Sequence, residues 1–276
     1  MPTVLERHVA SVHERLVLLA PPGASVSGAF NRVVVSAIEH RHLLRQMQRF
    51  RGSVYMNDGA IQPHEAIDGL HRTPEDGRSW HLLMLDGADV SGCAWYMEHA
   101  RDAGPERLRV ENCALARLDE WRHKLFAAVQ TELIRARHER VGFAEVGGWA
   151  VAPEKRNTAE GLVLALATYA LGRLMGGVLG LTTATRRHAS ATILRRLGGS
   201  SLEIGGDRVP SYYEPRYRCE MELLRFDSRA PTGRYSALIE ALRVKLSDVM
   251  VVAGESIAGD EGPQLDLELC GAPHAA

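Results

Sequence analysis

Cysteine is scarce in this chain of 276 residues. The four present, Cys93, Cys113, Cys219 and Cys270, form no CxxC pair and have no histidine at metal-ligand spacing. That excludes a disulfide-stapled scaffold and a zinc-finger type of centre, so no metal is expected. Thiols so placed read as reduced and mostly buried, which points to a cytoplasmic location. Long apolar runs are also missing. The most apolar stretch, 162–181, is broken by Thr168, Arg173 and several glycines, short of the roughly 20 apolar residues of a membrane span. The opening MPTVLERHVASVHERL mixes charges into every turn and lacks a signal-peptide core. Nor does one sign of charge dominate: 33 Lys and Arg face 34 Asp and Glu. Global basicity is therefore absent, and no nucleic-acid partner is expected.

What remains is the composition of an ordinary globular protein, 45% hydrophobic and 24% charged, with enough chain to bury a large core. Apolar residues at helical intervals predict a helix over 4–19 (Val9, Val12, Leu16, Leu19), stopped by Pro21-Pro22-Gly23, and a second over 29–49. A short strand is expected over 53–56, closed by Asn57-Asp58-Gly59. Runs at 80–85 and 90–97 flank Asp86-Gly87 and predict a β-hairpin. A further strand is expected over 107–116 and an amphipathic helix over 118–139. The centre then reads strand 143–151, polar loop 153–160, apolar helix 161–175, strand 178–183 and helix 188–197 ended by Gly198-Gly199. Extended stretches at 201–204 and 218–226 follow, then a helix over 235–246 and an apolar run over 249–253. Strand, helix and strand over 143–183 imply a right-handed crossover between parallel strands, hence a mixed α/β (α+β) fold. Residues 1–50 read as a helical extension, 51–253 as the main domain, and 254–276 as a frayed tail.

Chemistry concentrates in Val151-Ala-Pro-Glu-Lys155-Arg156-Asn157-Thr158-Ala159-Glu160-Gly161. A helix start offers unpaired amides and partial positive charge, and so can receive a phosphate. Ala159 and Gly161 keep the backbone approachable, while Lys155 and Arg156 bring positive charge. The alternative is a polar turn capped by Thr158 ahead of a core helix.

A strand, V-x-P-x-x-R, and then R-x-x-small-x-Gly opening a helix resembles the acyl-CoA-binding motif of the GNAT acyltransferases. The block 187–199, ending in Leu197-Gly198, is similar to that family's next helix. The resemblance covers about 80–226 and implies a central twisted mixed sheet flanked by helices. It implies that Trp149, Ala150, Val151 and the loop Lys155, Arg156, Asn157, Thr158, Ala159, Glu160 and Gly161 hold the pyrophosphate-pantetheine arm of an acyl-CoA or acyl-phosphopantetheine co-substrate, with no permanently bound cofactor. The sequence departs from the pattern at Ala159, which replaces the first loop glycine, and at Leu194, where a tyrosine acid often stands. Arg51-Gly-Ser-Val-Tyr55-Met-Asn-Asp58-Gly and Glu145-Val-Gly-Gly-Trp149 further resemble the N-acyl amino acid synthases and acyl-homoserine-lactone synthases, which take acyl chains from an acyl carrier protein. Where the central strand of those enzymes carries Ser and Arg, this chain has Gly147 and Gly148, which could mean a wider acyl or amine channel.

These resemblances imply an N-acyltransferase acting on the amine of an amino acid or similar small molecule. An ordinary acetyl-CoA-dependent acetyltransferase and a non-catalytic thioester binder are the alternatives. Aminolysis of a thioester needs a base for the amine, a donor for the oxyanion and an acid near the thiolate. No Ser-His-Asp or Cys-His arrangement stands out, so direct transfer by proximity is expected. Glu145 is the candidate base, or else an edge charge paired with Arg140. His188 is a candidate base or acid, or a surface residue at a helix start. Tyr212 and Tyr213 could supply the acid from their loop or cover core edges. The pairs Arg186-Arg187 and Arg195-Arg196 could bind phosphate or an acidic carrier protein, or form a solvated face. Asp58 and Asp68 could grip the acceptor's amine or serve as turn residues. The N-terminal helices could cover an acyl tunnel or form a homodimer contact.

Overall fold

The computed structural model describes residues 3–254; the expected tail and Cys270 fall outside them. In chain order the elements are α1 (Val4–Ala10), α2 (Val12–Arg15), β1 (Leu16–Leu19), β2 (Arg32–Val35), α3 (Ala37–Asn57), β3 (Trp80–Asp86) and β4 (Asp89–His99). Next come α4 (Asp119–Glu139), β5 (Gly142–Val151), α5 (Glu160–Leu174), β6 (Val178–Thr185) and α6 (Ser190–Leu197). The chain continues through β7 (Ser200–Ser201), β8 (Glu203–Ile204), β9 (Asp207–Arg208), β10 (Tyr212–Glu214), β11 (Cys219–Asp227), α7 (Gly233–Leu246) and β12 (Met250–Ala253).

One ten-stranded sheet runs β10-β11-β6-β5-β4-β3-β1-β12-β2, with β7 joined to β11. It is mixed: β5 and β6 are parallel, as are β1 with β12 and β12 with β2. The hairpin β3–β4 turns at Gly87 and Ala88, the former at φ +63. Helices cover both faces. Ala144 and Val146 of β5 point into the core built with α5 and α7. On the opposite face, Leu43 and Met47 of α3 pack on Cys93 and Ala150, while Leu125 and Val129 of α4 pack with Phe143, Leu179 and Leu181. This is the mixed α/β sandwich of sheet and helices that the motif resemblance implies.

Four expectations about elements are corrected. The helix foreseen over 4–19 ends at Arg15, and Leu16–Leu19 forms a strand between β3 and β12. A strand buried on both faces is uniformly apolar, so its periodicity cannot be told from that of a buried helix. The helix foreseen from 29 begins at Ala37, behind Ser36, whose hydroxyl accepts the Glu39 amide; the β-branched run Val33-Val34-Val35 goes to β2 instead. The strand foreseen over 53–56 is the last turn of α3, with Asp58 as its C-cap and Gly59 at φ +66 just beyond. Finally, 107–116 forms short 3-10 turns rather than a strand. Its amides find carboxylates in place of a ladder: Glu145 accepts from Arg109 and Val110, and Glu214 accepts from Ala114.

Length in α3 is secured by a buried ion pair. Arg51, 1% exposed, donates to both carboxylate oxygens of Asp76 at 2.9 and 2.8 Å and to the His71 carbonyl. Gln48 and Thr73 complete the shell around Asp76. A buried pair of this kind is tolerable because most of its remaining hydrogen-bonding capacity is met, the Arg51 Nε alone being buried without a partner.

Candidate functional site: a groove and a chamber at a strand splay

Strands β5 and β6 run in register only from Gly142↔Val178 to Val146↔Thr182. Beyond that point β5 stays with β4, and β6 stays with β11, so the parallel pair opens. The β4–β5 register also slips between Cys93 and Trp95, leaving Gly148 and Trp149 as a bulge at the opening. Gly148 lies at φ +64, and a Cβ there would come within 2.2 Å of the Trp95 ring; one on Gly147 would come within 2.5 Å. The two glycines are required because the Trp95 indole lies over them. They make room for that ring rather than widening a channel.

On one side of the splay lies a groove of about 570 Å³. Its walls are Trp149, Ala150 and Val151 from β5, Lys155 to Thr158 from the loop, Gly161, Leu162 and Ala165 from α5, and Ser190, Ile193 and Leu194 from α6. Asn157 takes φ +56, which turns the loop into the helix start. Thr158 accepts the Glu160 amide at 3.2 Å. The amides of Ala159, Gly161 and Leu162 donate to no acceptor among the described residues. Open donors, a helix's positive end and a concave wall together suit an anion.

A chamber of about 120 Å³ lies on the other side, lined by Tyr55, Arg109, Gly147, Gly148, Thr183, Thr185, Arg187 and Tyr217 among others. Arg109 organises it. Its guanidinium pairs with Glu75 at 2.9 Å, donates to the Tyr217 hydroxyl at 3.0 Å and to Thr183 at 3.3 Å, and lies 5.7 Å from the Trp95 ring centre. Burial works against the Arg109 charge, but Tyr217, Glu75 and Glu145 outweigh it and hold the group above its ordinary value. Burial likewise pushes the Tyr55 hydroxyl up, with Tyr217 adding to it, so it stays neutral at pH 7. Asp58, Trp149, Ser190 and Leu194 line both groove and chamber. A group reaching from one into the other passes among these side chains. The Trp149 indole nitrogen is buried with no hydrogen-bond partner among the described residues.

The structure gathers most of the motif residues and scatters the candidate catalysts. Trp149, Ala150, Val151, Lys155, Arg156, Asn157, Thr158 and Gly161 all line the groove. Ala159 is the residue before α5, and its conformation is helical. Glu160 turns away: buried at 2% exposure, it accepts from Arg15 at 2.6 Å and from Ser91 at 3.0 Å. Lys155 pairs with Asp86 at 2.7 Å, and Arg156 with both oxygens of Asp58 at 2.8 Å.

Glu145 lines neither cavity. Its carboxylate, 5% exposed, accepts from the Arg109 and Val110 amides at 2.6 and 2.9 Å and meets His99 Nε2 at 3.0 Å. Those contacts fix the 108–110 segment and leave little room for a base; Arg140 is not the partner. Tyr212 packs in the core around α4 beside Cys113, with its hydroxyl pushed well up by burial. Tyr213 is exposed. His188 falls in the turn Arg187–Ala189, and its side chain lies outside the described residues. Arg187 donates to the Asp58 and Arg218 carbonyls, and Arg195 pairs with Glu222 at 2.6 Å. Asp68 sits at φ +56 in a turn, away from both cavities.

Sequence reasoning missed Arg109, Tyr217, Thr183 and Ser190. Arg109 was hidden in a supposed strand, and the others are single polar residues converging from β6, α6 and the segment before β11.

No protein-family model matches the chain, and no curated protein matches it. Solved structures similar to it are found. FeeM, an N-acyl amino acid synthase from uncultured soil microbes, is 16% identical, over 70% of this chain and 92% of its own, with a TM-score of 0.41. BjaI, a CoA-dependent acyl-homoserine lactone synthase solved with SAM and isopentyl-CoA, is 15% identical over 91% and 95%, with a TM-score of 0.48. An acyl-CoA N-acyltransferase from Pseudomonas aeruginosa is 14% identical over 67% and 89%, with a TM-score of 0.39. Identities and scores this low leave the function to be read from this chain's own residues.

Proposed function

We propose that the protein is an N-acyltransferase. It holds an acyl thioester by its pantetheine-pyrophosphate arm in the groove and passes the acyl group to a small amine in the chamber. One observation carries the reading: the open amides of Gly161 and Leu162 end a groove that meets a polar chamber through the β5–β6 splay. Phosphate would settle on the amides, and the thioester would reach the junction at Trp149 and Ser190. The Trp149 indole N–H is a donor for the developing oxyanion, and the Ser190 hydroxyl is a donor for the thiolate where Leu194 replaces the usual tyrosine. Proximity supplies the rest of the acceleration.

The donor is a coenzyme A thioester or the same arm on an acyl carrier protein. The acceptor is an amino acid or a similar amine, with Arg109 and Arg187 in the chamber suited to an acceptor carboxylate. The transfer of a short acyl group, as in an acetyl-CoA-dependent enzyme, is favoured by a specific observation. Val163, Leu164, Leu166 and Ala167 of α5 are packed in the core and fill the space a long chain would need. Buried free thiols at Cys93, Cys113 and Cys219 accord with a reducing cytoplasm. No helix among the described residues is long and apolar enough to cross a membrane.

The test is release of free thiol from acetyl-, butyryl- and decanoyl-CoA in the presence of an amino acid panel. Amine-dependent thiol release, strongest with the short donors, is expected. A protein that binds these thioesters but releases no thiol with any amine would be a binder, and the reading would fall.

A further inference from the structure

The large sheet has two edges, and they are built differently. At one end β10 is short, flanked by Pro210 and Pro215, and carries Glu214. Those are devices that keep an edge from recruiting another strand. At the other end β2 pairs with β12 on one side and, among the described residues, with no strand on the other. It reads Arg32-Val33-Val34-Val35, with neither proline nor glycine. Its three valines are 40%, 44% and 63% exposed, and Ile38 just beyond is 76% exposed. A β-branched run on a bare edge is suited to receive a further strand.

The backbone of β2 fits its own copy. The Ser36 amide donates to the Ala253 carbonyl of β12. Direction alternates along a strand, so Val33 and Val35 turn their N–H and C=O groups to the open edge. In an antiparallel copy centred on Val34, Val33 exchanges both bonds with the partner's Val35, and Val35 with the partner's Val33. The charges fit as well. Val34 pairs with Val252, which packs with Leu43 and Met47 of α3, so Val34 and Arg32 lie on the α3 face of the sheet. On that face Arg32 stands opposite the partner's Ser36, the cap of α3, with Glu39 in the first turn. Arg32 and Glu39 are both exposed, and neither forms an ion pair among the described residues.

We infer that β2 is a self-recognition edge. A second copy of the chain pairs antiparallel with it about a two-fold axis through Val34, and Arg32 of each copy meets Glu39 of the other. A closed two-fold leaves neither β2 edge open to a third copy. The interface lies at the far end of the sheet from the β5–β6 splay, so the inference stands or falls independently of the groove and chamber.

Sedimentation over a concentration series should show the full chain passing from one chain mass to two and no further. Val34→Lys sets two ammonium groups face to face on the axis and should stay monomeric, with an unchanged circular dichroism spectrum. Arg32→Glu and Glu39→Arg should each weaken association at least ~10-fold, and the double exchange should restore it. Register is read by cross-linking in a Cys270→Ser background. Opposed residues at a non-hydrogen-bonded antiparallel position stand ~4.5 Å apart at Cα, within disulfide reach. Val34→Cys should therefore cross-link on mild oxidation, and Val33→Cys should not. Should Val34→Lys not fold, the Val34→Cys cross-link decides. A monomer at every concentration overturns the inference, and so does assembly beyond two chains. A dimer that survives Val34→Lys, or that cross-links through Val33→Cys instead, is built elsewhere or in another register and overturns it too. A monomer that dimerises only when residues 255–276 are deleted gives the edge to the chain's own last segment, against a second copy.

Discussion

Glu145 illustrates how a residue's role follows from what its atoms touch. A carboxylate in a central strand looks like a buried base, yet both its oxygens are occupied by amides of the 108–110 segment. Removing it leaves buried donors unmet, at about 1–3 kcal/mol each. Glu145→Ala should therefore lower unfolding stability by about 2–4 kcal/mol, measured by urea denaturation. Glu145→Gln should leave the shape of the pH–rate profile unchanged. Loss of its acidic limb would restore Glu145 as a base. Arg109 is the opposite case, because its guanidinium faces the chamber between Glu75, Tyr217 and Thr183. Arg109→Lys keeps the charge but loses the planar fork. It should cut kcat/KM for an amino acid acceptor at least ~10-fold, with little change in coenzyme A affinity measured by titration.

At the scale of elements, the crossover β5–α5–β6 was legible in the sequence because its strands are largely apolar and its loop is punctuated by Pro153 and Thr158. That segment carries much of the groove's wall, so this half of the candidate site was legible as well. The chamber was not. Its residues come from α3, the 3-10 turns after β4, β6 and the segment before β11, and no periodic pattern records such convergence. The turns themselves were misread because Leu108, Val110 and Leu115 are buried like strand residues, while their amides are satisfied by distant carboxylates. The last turn of α3, at 53–56, was misread as a strand because Asn57-Asp58-Gly59, which ends the helix, reads equally as a turn closing a strand. The polar Arg51 of the same helix is buried, and only the fold reveals Asp76 as its partner. Breaking that pair strands a charge: Arg51→Leu should destabilise by about 3–5 kcal/mol, read as a lowered melting temperature. A loss within 1 kcal/mol would mean that α3 is held by packing alone.

For the whole molecule, acid sensitivity follows from two histidines under α3. Burial comes first in lowering both His71 and His81 to about 4; the Arg51 charge adds to it, and Arg216 adds further for His71. Their ordinary value is about 6.5. The unfolded chain therefore binds more protons between these limits, so the stability they contribute is present above about pH 6.5 and is lost as pH falls toward 4. Asp76 adds to the slope at lower pH: burial works against its charge, but Arg51 outweighs that and holds it below the usual carboxylate range. Melting temperature should fall steadily between pH 6.5 and 4.5, and His81→Gln should flatten that fall. An unchanged slope in the variant would show that His81 does not titrate on unfolding.

The groove at the start of α5 is most directly tested by filling it. A Cβ on Gly161 would meet only Val151 Cγ2, at 3.6 Å, and valine is a better helix former than glycine. Gly161→Val should melt at or above the wild-type temperature and should bind coenzyme A at least ~10-fold more weakly in a calorimetric titration. A stable variant that bound coenzyme A as tightly as the wild type would place the ligand elsewhere and contradict the account.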